Sequence, residues 1–97
     1  RRLGHRLVDW IADYRRRCAE LPVRATTSPG AVRAGLPEQA PELPEDLERV
    51  LFDELERVVL PGLTHWQHPG FFAYFPANAS LPWVLADLLA AGLGQNG

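Results

Sequence analysis

The sequence predicts a mainly α-helical chain, with about three helices and a long extended connector. Two segments, residues 3–20 and 45–59, place apolar side chains at helical spacing, and residues 82–92 are apolar on nearly every side. Between the first two segments, prolines and glycines recur through residues 22–44 and leave no room for a long regular element.

The first helix is predicted over residues 3–20. Its apolar stripe is formed by Leu3, Leu7, Ile11, Tyr14 and Cys18, with Trp10 beside it. The helix ends at Leu21, because the residue before a proline is driven out of the α region. The basic run 15–17 is interpreted as a solvated helix end, where cations complement the dipole, in preference to a nucleic-acid contact.

The connector over residues 22–44 has two interpretations. It could be a flexible linker, or it could be an arm that lies along another protein surface. Connections of this length are uncommon in compact domains unless they serve a purpose. The sequence alone leaves both possibilities open.

The second helix is predicted over residues 45–59. Pro44 can precede a helix, and Pro61 with Gly62 ends it. We expect two ion pairs at i,i+4 spacing, Glu45 with Arg49 and Asp53 with Arg57. The predicted apolar face consists of Leu47, Val50, Leu51, Leu55, Val58 and Val59.

The third helix, over residues 82–92, has almost no polar face. Ser80 is a candidate N-cap, Gly92 and Gly94 can end the helix, and Asp87 is its single charge. A helix of this kind has to be buried all round, so we expect Asp87 to pair with an arginine or with backbone amides. Two amphipathic helices cannot enclose it, so the chain needs more polypeptide or a partner.

Composition limits the possible functions. The chain has 97 residues, a hydrophobic fraction of 46% and a net charge of −2, which does not suggest a nucleic-acid-binding protein. No apolar run is long enough to cross a bilayer, and no signal peptide is recognised. A single cysteine, Cys18, excludes an internal disulfide and fits a reducing compartment. A cytoplasmic location is therefore expected.

Residues 64–79 concentrate aromatic side chains on a segment that Pro69, Gly70 and Pro76 divide into turns. Aromatic rings on such a loop form a pocket or an interface, or simply pack in a core, and the residues alone do not decide. His65 and His68 lack nearby carboxylate or thiolate ligands, so no metal site is predicted. His68 is expected to order the loop by hydrogen bonding.

All ten basic residues are arginines, so the chain contains no lysine. No side chain here can form a Schiff base with a carbonyl cofactor or substrate. The chain also offers no acid, base or nucleophile that we would assign as catalytic. Any covalent chemistry of that kind has to come from other residues.

Several strings of the sequence resemble the amino-terminal region of the pyridoxal-phosphate-dependent aromatic L-amino-acid decarboxylases. They are Thr64-His65-Trp66-Gln67-His68-Pro69, Phe72-Ala73-Tyr74-Phe75-Pro76, Leu85-Ala86-Asp87-Leu88-Leu89 and the opening helix around Val8-Asp9-Trp10. The order and the gaps agree over essentially the whole chain.

The resemblance implies that residues 1–97 form the amino-terminal helical arm of a fold-type-I α/β enzyme. The pyridoxal 5'-phosphate cofactor would be bound by a domain that is absent from this chain, and the arm would lie across the second subunit of a homodimer. The cofactor ring would act as the electron sink for decarboxylation. The partners implied are the rest of the enzyme, a second subunit and an amino-acid substrate.

The resemblance also implies site residues. By position, substrate-binding residues would be Trp66, Tyr74, Phe75, Pro76 and Ala77, and residues near the partner's active site would be Gln95 and Asn96. Ala77 departs from the threonine common in the animal enzymes, Leu81 from a frequent tyrosine, and Asn96 from an isoleucine. These departures leave the particular amino acid open.

Two functions are therefore carried forward. The first is the amino-terminal portion of a decarboxylase that converts an aromatic L-amino acid to its amine and CO2, contributing dimer contacts and pocket walls. The alternative is a non-catalytic helical interaction module that dimerises through the third helix. An end at Gly97, just after an apolar helix, suggests a chain that continues.

Overall fold

The computed structural model describes residues 1–75 and 79–94, and within these ranges the chain is helical without strands. Three α-helices are present: α1 (Arg2–Arg17), α2 (Ala31–Ala34) and α3 (Leu81–Leu93). A π-helix spans Arg49–Val59, and short 3-10 turns follow α1 and the π-helix at Cys18–Glu20 and Leu60–Gly62. The predicted fold class, mainly α, is confirmed.

Helix α1 turns its predicted apolar stripe inward. Leu3, Leu7, Ile11 and Tyr14 are half-buried, and Cys18 is buried at the end of the stripe. The last turn carries three arginines, of which Arg17 forms an ion pair with Glu56 of the π-helix. This part of the basic run therefore ties two helices together in addition to complementing the dipole.

The second predicted helix differs in winding from an α-helix. Its hydrogen bonds reach five residues back, as between the N–H of Leu60 and the carbonyl of Leu55. The predicted apolar face assumed 3.6 residues per turn, and a π-helix has more residues in each turn. The side chains of that face therefore point in different directions here. Phe52, which was not on the predicted face, is buried with Val58, whereas Leu47 remains largely exposed.

One of the two predicted ion pairs forms. Arg49 contacts Glu45 at 2.5 Å between the guanidinium and the carboxylate. The prediction for Asp53 and Arg57 was wrong, because Arg57 binds Glu54 at 2.9 Å instead. The Glu54 carboxylate is only 22% exposed and also binds Arg49, so it attracts the cation in a less aqueous environment.

Long side chains join α1 to the π-helix. Arg2 forms a two-bond ion pair with Glu48, and Arg6 pairs with the same carboxylate while its guanidinium lies 4.1 Å from the centre of the Phe52 ring. This pairing lowers the pKa of the Glu48 carboxyl below its ordinary value, chiefly through the hydrogen bond from Arg2. Trp10 adds a hydrogen bond from its indole N–H to Glu56, 2.6 Å long.

The predicted connector is not extended throughout, since it contains helix α2. Gly30 precedes the helix with a left-handed φ of 85°, a conformation that glycine adopts without strain. Helix α2 lies against the end of the π-helix, where Val32 fills the space beside Gly62. Residues 31–35 therefore pack on their own chain and do not form a free linker there.

Helix α3 leaves most of its apolar surface open. It begins after Ser80, which occupies the N-cap position without a capping side-chain hydrogen bond, and it ends at Gly94, whose φ is 65°. Asp87 is exposed and forms no ion pair with another described residue, so the predicted burial and pairing of this carboxylate are not seen within the described chain.

The core of the described residues is small. Its apolar members are Cys18, Phe52, Val58 and Leu60, and each retains a few per cent of its surface. By contrast, the exposed apolar side chains of α3 are Leu81, Trp83, Leu85, Leu88, Leu89 and Leu93. None of the helices in the described ranges is long and apolar enough to span a membrane.

We predict that Gly62→Ala weakens the packing of α2 on the 3-10 turn Leu60–Gly62. A Cβ at position 62 would lie 2.5 Å from Cγ2 of Val32, closer than side chains tolerate, so Val32 has to shift away from the turn. Overpacking of this kind costs about 1–3 kcal/mol. Faster amide exchange in residues 31–36 of the full-length protein would report the loss.

The matched control is the double variant Gly62→Ala with Val32→Ala. Because the second change removes the clashing methyl group, we expect exchange in the double variant to be slower than in Gly62→Ala alone. Equal exchange rates in the two variants would contradict the proposed contact.

Candidate functional site

The aromatic loop is attached to the end of α1 through His65. The His65 side chain is 4% exposed, and its Nδ1 lies 2.8 Å from the hydroxyl of Tyr14. The backbone N–H of the same residue donates to the carbonyl of Val23 over 2.7 Å. His65 is thus joined to distant parts of the chain twice, to Tyr14 through its side chain and to Val23 through its main chain.

The direction of the Tyr14–His65 hydrogen bond follows from the acidities of the two groups. Burial, followed by the hydrogen bond with Cys18, raises the pKa of Tyr14 to about 12, so its hydroxyl is protonated and donates. Burial also lowers the pKa of His65, with a smaller contribution from the charge of His68. A neutral His65 accepts at Nδ1 and therefore carries its proton on Nε2.

His68 holds the next turn of the loop. Its Nδ1 accepts a 2.8 Å hydrogen bond from the N–H of Gly70, and its Nε2 lies 3.1 Å from the carbonyl of Ala19. The expected role of His68 in ordering the loop is confirmed. A side chain at position 70 would meet the imidazole at 3.1 Å, so glycine suits this close approach.

Three aromatic rings stack along the loop. The Trp66 ring lies 5.3 Å from Phe71 and 6.1 Å from Tyr74, with interplanar angles of 19° and 13°. Tyr74 has a φ of 57°, a left-handed conformation that costs an ordinary residue about 1–2 kcal/mol. Stacking on Trp66 offsets part of that cost.

The rings are open to the surroundings. Trp66 is 44% exposed, Tyr74 84% and Phe75 100%, so the loop displays a broad apolar surface. A groove of about 520 Å³ also runs beside it, lined by Val23, Arg24, Thr64, Gly70, Phe71, Phe72 and Ala73. The arrangement offers flat walls for a ring-shaped ligand, and a ligand held there would need a further wall from elsewhere.

The structure brings together two of the predicted site residues, since the rings of Trp66 and Tyr74 stack. Phe75 follows Tyr74 directly in the chain. Pro76 and Ala77 lie outside the described residues, as do Gln95 and Asn96. The substrate-binding and partner-site assignments of these residues stay predictions.

Sequence reasoning missed Tyr14, His65 and Phe71 as parts of this site. Phe71 could have been found from the crowding of rings around it. The pairing of Tyr14 with His65 gives no local signal, because the two residues belong to distant segments. No group of three potential metal-ligating side chains occurs within residues 1–75 and 79–94.

We predict that the loop detaches more readily as the pH falls below about 6.5. Because the folded pKa of His65 is lower than its unfolded value, the neutral side chain stabilises the folded loop fully above pH 6.5. That stabilisation is lost as the pH falls from the unfolded pKa toward the folded one. Amide exchange of residues 64–71, corrected for intrinsic rates between pH 5 and 8, would measure it.

Two variants separate this effect from a general one. His65→Gln should weaken attachment but remove most of its pH dependence, whereas His5→Gln, on the exposed side of α1, should leave the profile unchanged. A flat profile in the unmodified protein would contradict the role of His65.

Comparison with known proteins identifies the family. The model of the pyridoxal-dependent decarboxylase conserved domain matches residues 29–97. Among curated relatives, phenylacetaldehyde synthase of Arabidopsis thaliana is 47% identical over 97% of this chain, and tyrosine decarboxylase 4 of Petroselinum crispum is 46% identical over all of it. The chain spans only 19% of the length of each of these proteins.

Solved structures match the same region. Catharanthus roseus tryptophan decarboxylase, in complex with L-tryptophan, superposes with a TM-score of 0.86 and 38% identity over 96% of this chain and 19% of that one. Oryza sativa TDC with PLP and tryptamine gives a TM-score of 0.88 and 34% identity over 98% and 20%. The helical arrangement is that of the amino-terminal region of these enzymes, and the chain belongs to the pyridoxal-dependent decarboxylase family.

Proposed function

We propose that this chain is the amino-terminal portion of a pyridoxal-phosphate-dependent enzyme that decarboxylates an aromatic L-amino acid. The observation that carries the proposal is the Phe71–Trp66–Tyr74 ring stack, which presents flat apolar surface beside the exposed Phe75. Aromatic rings bind one another with about 0.5–1.5 kcal/mol beyond the burial of area. Such a wall suits a substrate with an aromatic side chain.

The residues of this chain do not fit a cofactor-anchoring role. The chain has no lysine, so the covalent link to pyridoxal phosphate must come from another part of the enzyme. When bound, the cofactor supplies an electron sink for the charge that develops on the substrate Cα. The overall reaction would replace the carboxylate on Cα by a proton and release CO2.

The contribution of this chain is recognition. The stacked rings would contact the side chain of the substrate and keep water from it, while Tyr74 keeps a hydroxyl for one polar contact. Phe75, Pro76 and Ala77 would continue the same wall. His65 is not placed to transfer the proton, because its side chain is buried and hydrogen-bonded to Tyr14.

An aldehyde-forming activity is a second candidate. Relatives include phenylacetaldehyde synthases of Arabidopsis thaliana and Petunia hybrida, and Rhodiola rosea 4-hydroxyphenylacetaldehyde synthase is among the similar structures. These enzymes share the arm with the tyrosine decarboxylases. An assay that measures both the amine and the aldehyde distinguishes the two activities.

A homodimer is part of the proposal. The open face of α3 and the neighbouring face of α1 border an apolar groove of about 560 Å³. The groove is lined by Leu7, Val8, Ile11, Ala12, Leu81, Val84, Leu85 and Leu88, among others. Water-exposed apolar surface of this extent favours association, and a second subunit would cover it. Gln95 and Asn96 would then approach the active site of that subunit.

A cytoplasmic location completes the proposal. It is supported by cysteine usage, since the single thiol of Cys18 is buried and takes part in no disulfide. Microscopy of the full-length protein with a carboxy-terminal fluorescent tag would test the location.

We predict that the full-length protein with pyridoxal phosphate converts tyrosine, dopa, tryptophan or phenylalanine with release of CO2, and that Phe75→Ala raises KM about 10-fold. The loss of one ring contact is worth up to about 1.4 kcal/mol, which is a factor of ten. Steady-state kinetics and the cofactor absorbance of the same preparations provide the measurement.

Leu43→Ala is the control, because Leu43 is 79% exposed and belongs to the connector, not to the aromatic loop. Its KM should stay within about twofold. A parallel loss of cofactor affinity in Phe75→Ala would contradict the wall role, and the absence of CO2 release from every aromatic amino acid would contradict the proposed activity.

We also predict that Leu89→Glu dissociates the dimer. An unpaired carboxylate buried in an apolar interface is costly, and we expect the dimer dissociation constant to rise about a hundredfold or more. Analytical ultracentrifugation of the full-length protein would measure this shift. Leu43→Glu, on an exposed connector residue, is the control, and an unchanged dimer in Leu89→Glu would contradict the α3 interface.

A further inference from the structure

We propose that Tyr14 and His65 are positioning residues that set the place of the Trp66 ring in the substrate pocket. The inference rests on the proposed function, since it assigns to Trp66 the role of a pocket wall. Neither Tyr14 nor His65 would touch the substrate. Both would act through the main chain of residue 65 and the ring that follows it.

His65 is constrained at three of its groups. Its Nδ1 is held by the Tyr14 hydroxyl at 2.8 Å, and its N–H by the carbonyl of Val23 at 2.7 Å. Its own carbonyl accepts from the N–H of His68 at 2.9 Å. With side chain and both main-chain groups fixed, the peptide that carries Trp66 has little torsional freedom.

His65 places a polar ring in a buried position. His65 is 4% exposed, and burying an imidazole costs free energy unless its nitrogens find partners. An apolar ring could fill the same space without this cost. The hydrogen bond to Tyr14 gives the imidazole one preferred orientation, which simple packing would not provide.

Tyr14 is itself held in a fixed position. Its ring stacks on Trp10 at 5.5 Å with an interplanar angle of 1°, and the indole N–H of Trp10 donates to Glu56 over 2.6 Å. The Sγ of Cys18, in the 3-10 turn that follows α1, lies 3.8 Å from the Tyr14 hydroxyl. A continuous series of contacts therefore runs from Glu56 of the π-helix to Trp66, and the packing of the helices determines where the wall stands.

The test uses the full-length enzyme loaded with pyridoxal phosphate. Tyr14→Phe removes the hydroxyl and keeps the stacking on Trp10, and His65→Leu removes the acceptor. We expect each variant to raise KM for the preferred aromatic amino acid about three- to tenfold, with kcat within twofold and cofactor content unchanged. The KM of the double variant should not exceed that of the more impaired single variant, because both changes break the same hydrogen bond.

His65→Asn is the conservative rescue. The asparagine amide oxygen can take the place of Nδ1 as an acceptor, so KM should return to within about twofold of the unmodified enzyme. Unchanged KM in Tyr14→Phe and His65→Leu would overturn the proposal. So would a parallel fall in cofactor content and melting temperature, which would indicate a merely structural role.

A readout without turnover separates this inference from the proposed function. In protein labelled with 5-fluorotryptophan, the Trp66 signal is assigned with Trp66→Phe and followed by fluorine NMR. A shifted or broadened Trp66 signal in Tyr14→Phe supports positioning even if the unmodified protein decarboxylates no aromatic amino acid. An unchanged signal overturns positioning whatever the activity is.

Discussion

The attachment of the aromatic loop to α1 is the interaction on which the rest of this structure depends. Two histidines make it, His65 to Tyr14 and Val23, and His68 to Ala19. Residues 64–75 form neither helix nor strand, and Pro69 with Gly70 interrupts the segment. No regular secondary structure holds the loop, so these hydrogen bonds have to do so. The loop is ordered by a few directional bonds to one short stretch of chain, residues 14–23.

That attachment also explains how a chain with a small core can hold a defined site. The buried apolar residues are Cys18, Phe52, Val58 and Leu60, which lie in the π-helix and in the 3-10 turns that follow α1 and the π-helix. The ion pairs of Glu48 and Glu56 with arginines of α1 align the two helices. Exposed ion pairs contribute little to stability one by one. Their effect here is to fix how far α1 is shifted along the π-helix.

Much of the local structure could be predicted, because helical spacing and proline punctuation are local signals. The stripe of α1 and the glycine end of α3 follow directly from residue types. The winding of the π-helix could not be predicted, because the apolar residues of 45–59 also fit the spacing of an α-helix. On that spacing the buried Phe52 lies outside the predicted apolar face. Helix α2 was missed because its packing on Gly62 depends on a residue some thirty positions away.

The site shows the same division. The aromatic loop was evident from composition. The role of His68 in ordering the loop was predicted from its position before Pro69. The Tyr14–His65 bond was not evident, because a hydrogen bond between distant segments leaves no period or spacing in the sequence. The lack of a polar face predicted that the rest of this chain cannot enclose α3, and its side chains are indeed exposed, whereas the expected pairing of Asp87 is not seen within the described residues.

The conformation of Tyr74 indicates how the wall is completed. A left-handed φ of 57° costs about 1–2 kcal/mol in a residue with a side chain, and one ring stack returns about 0.5–1.5 kcal/mol. The two free energies are similar, so stacking on Trp66 alone holds Tyr74 only marginally. Strained residues persist where their surroundings over-determine them. Because the two free energies are so close, the position of Tyr74 depends on the Trp66 ring staying where the hydrogen bonds of His65 would place it.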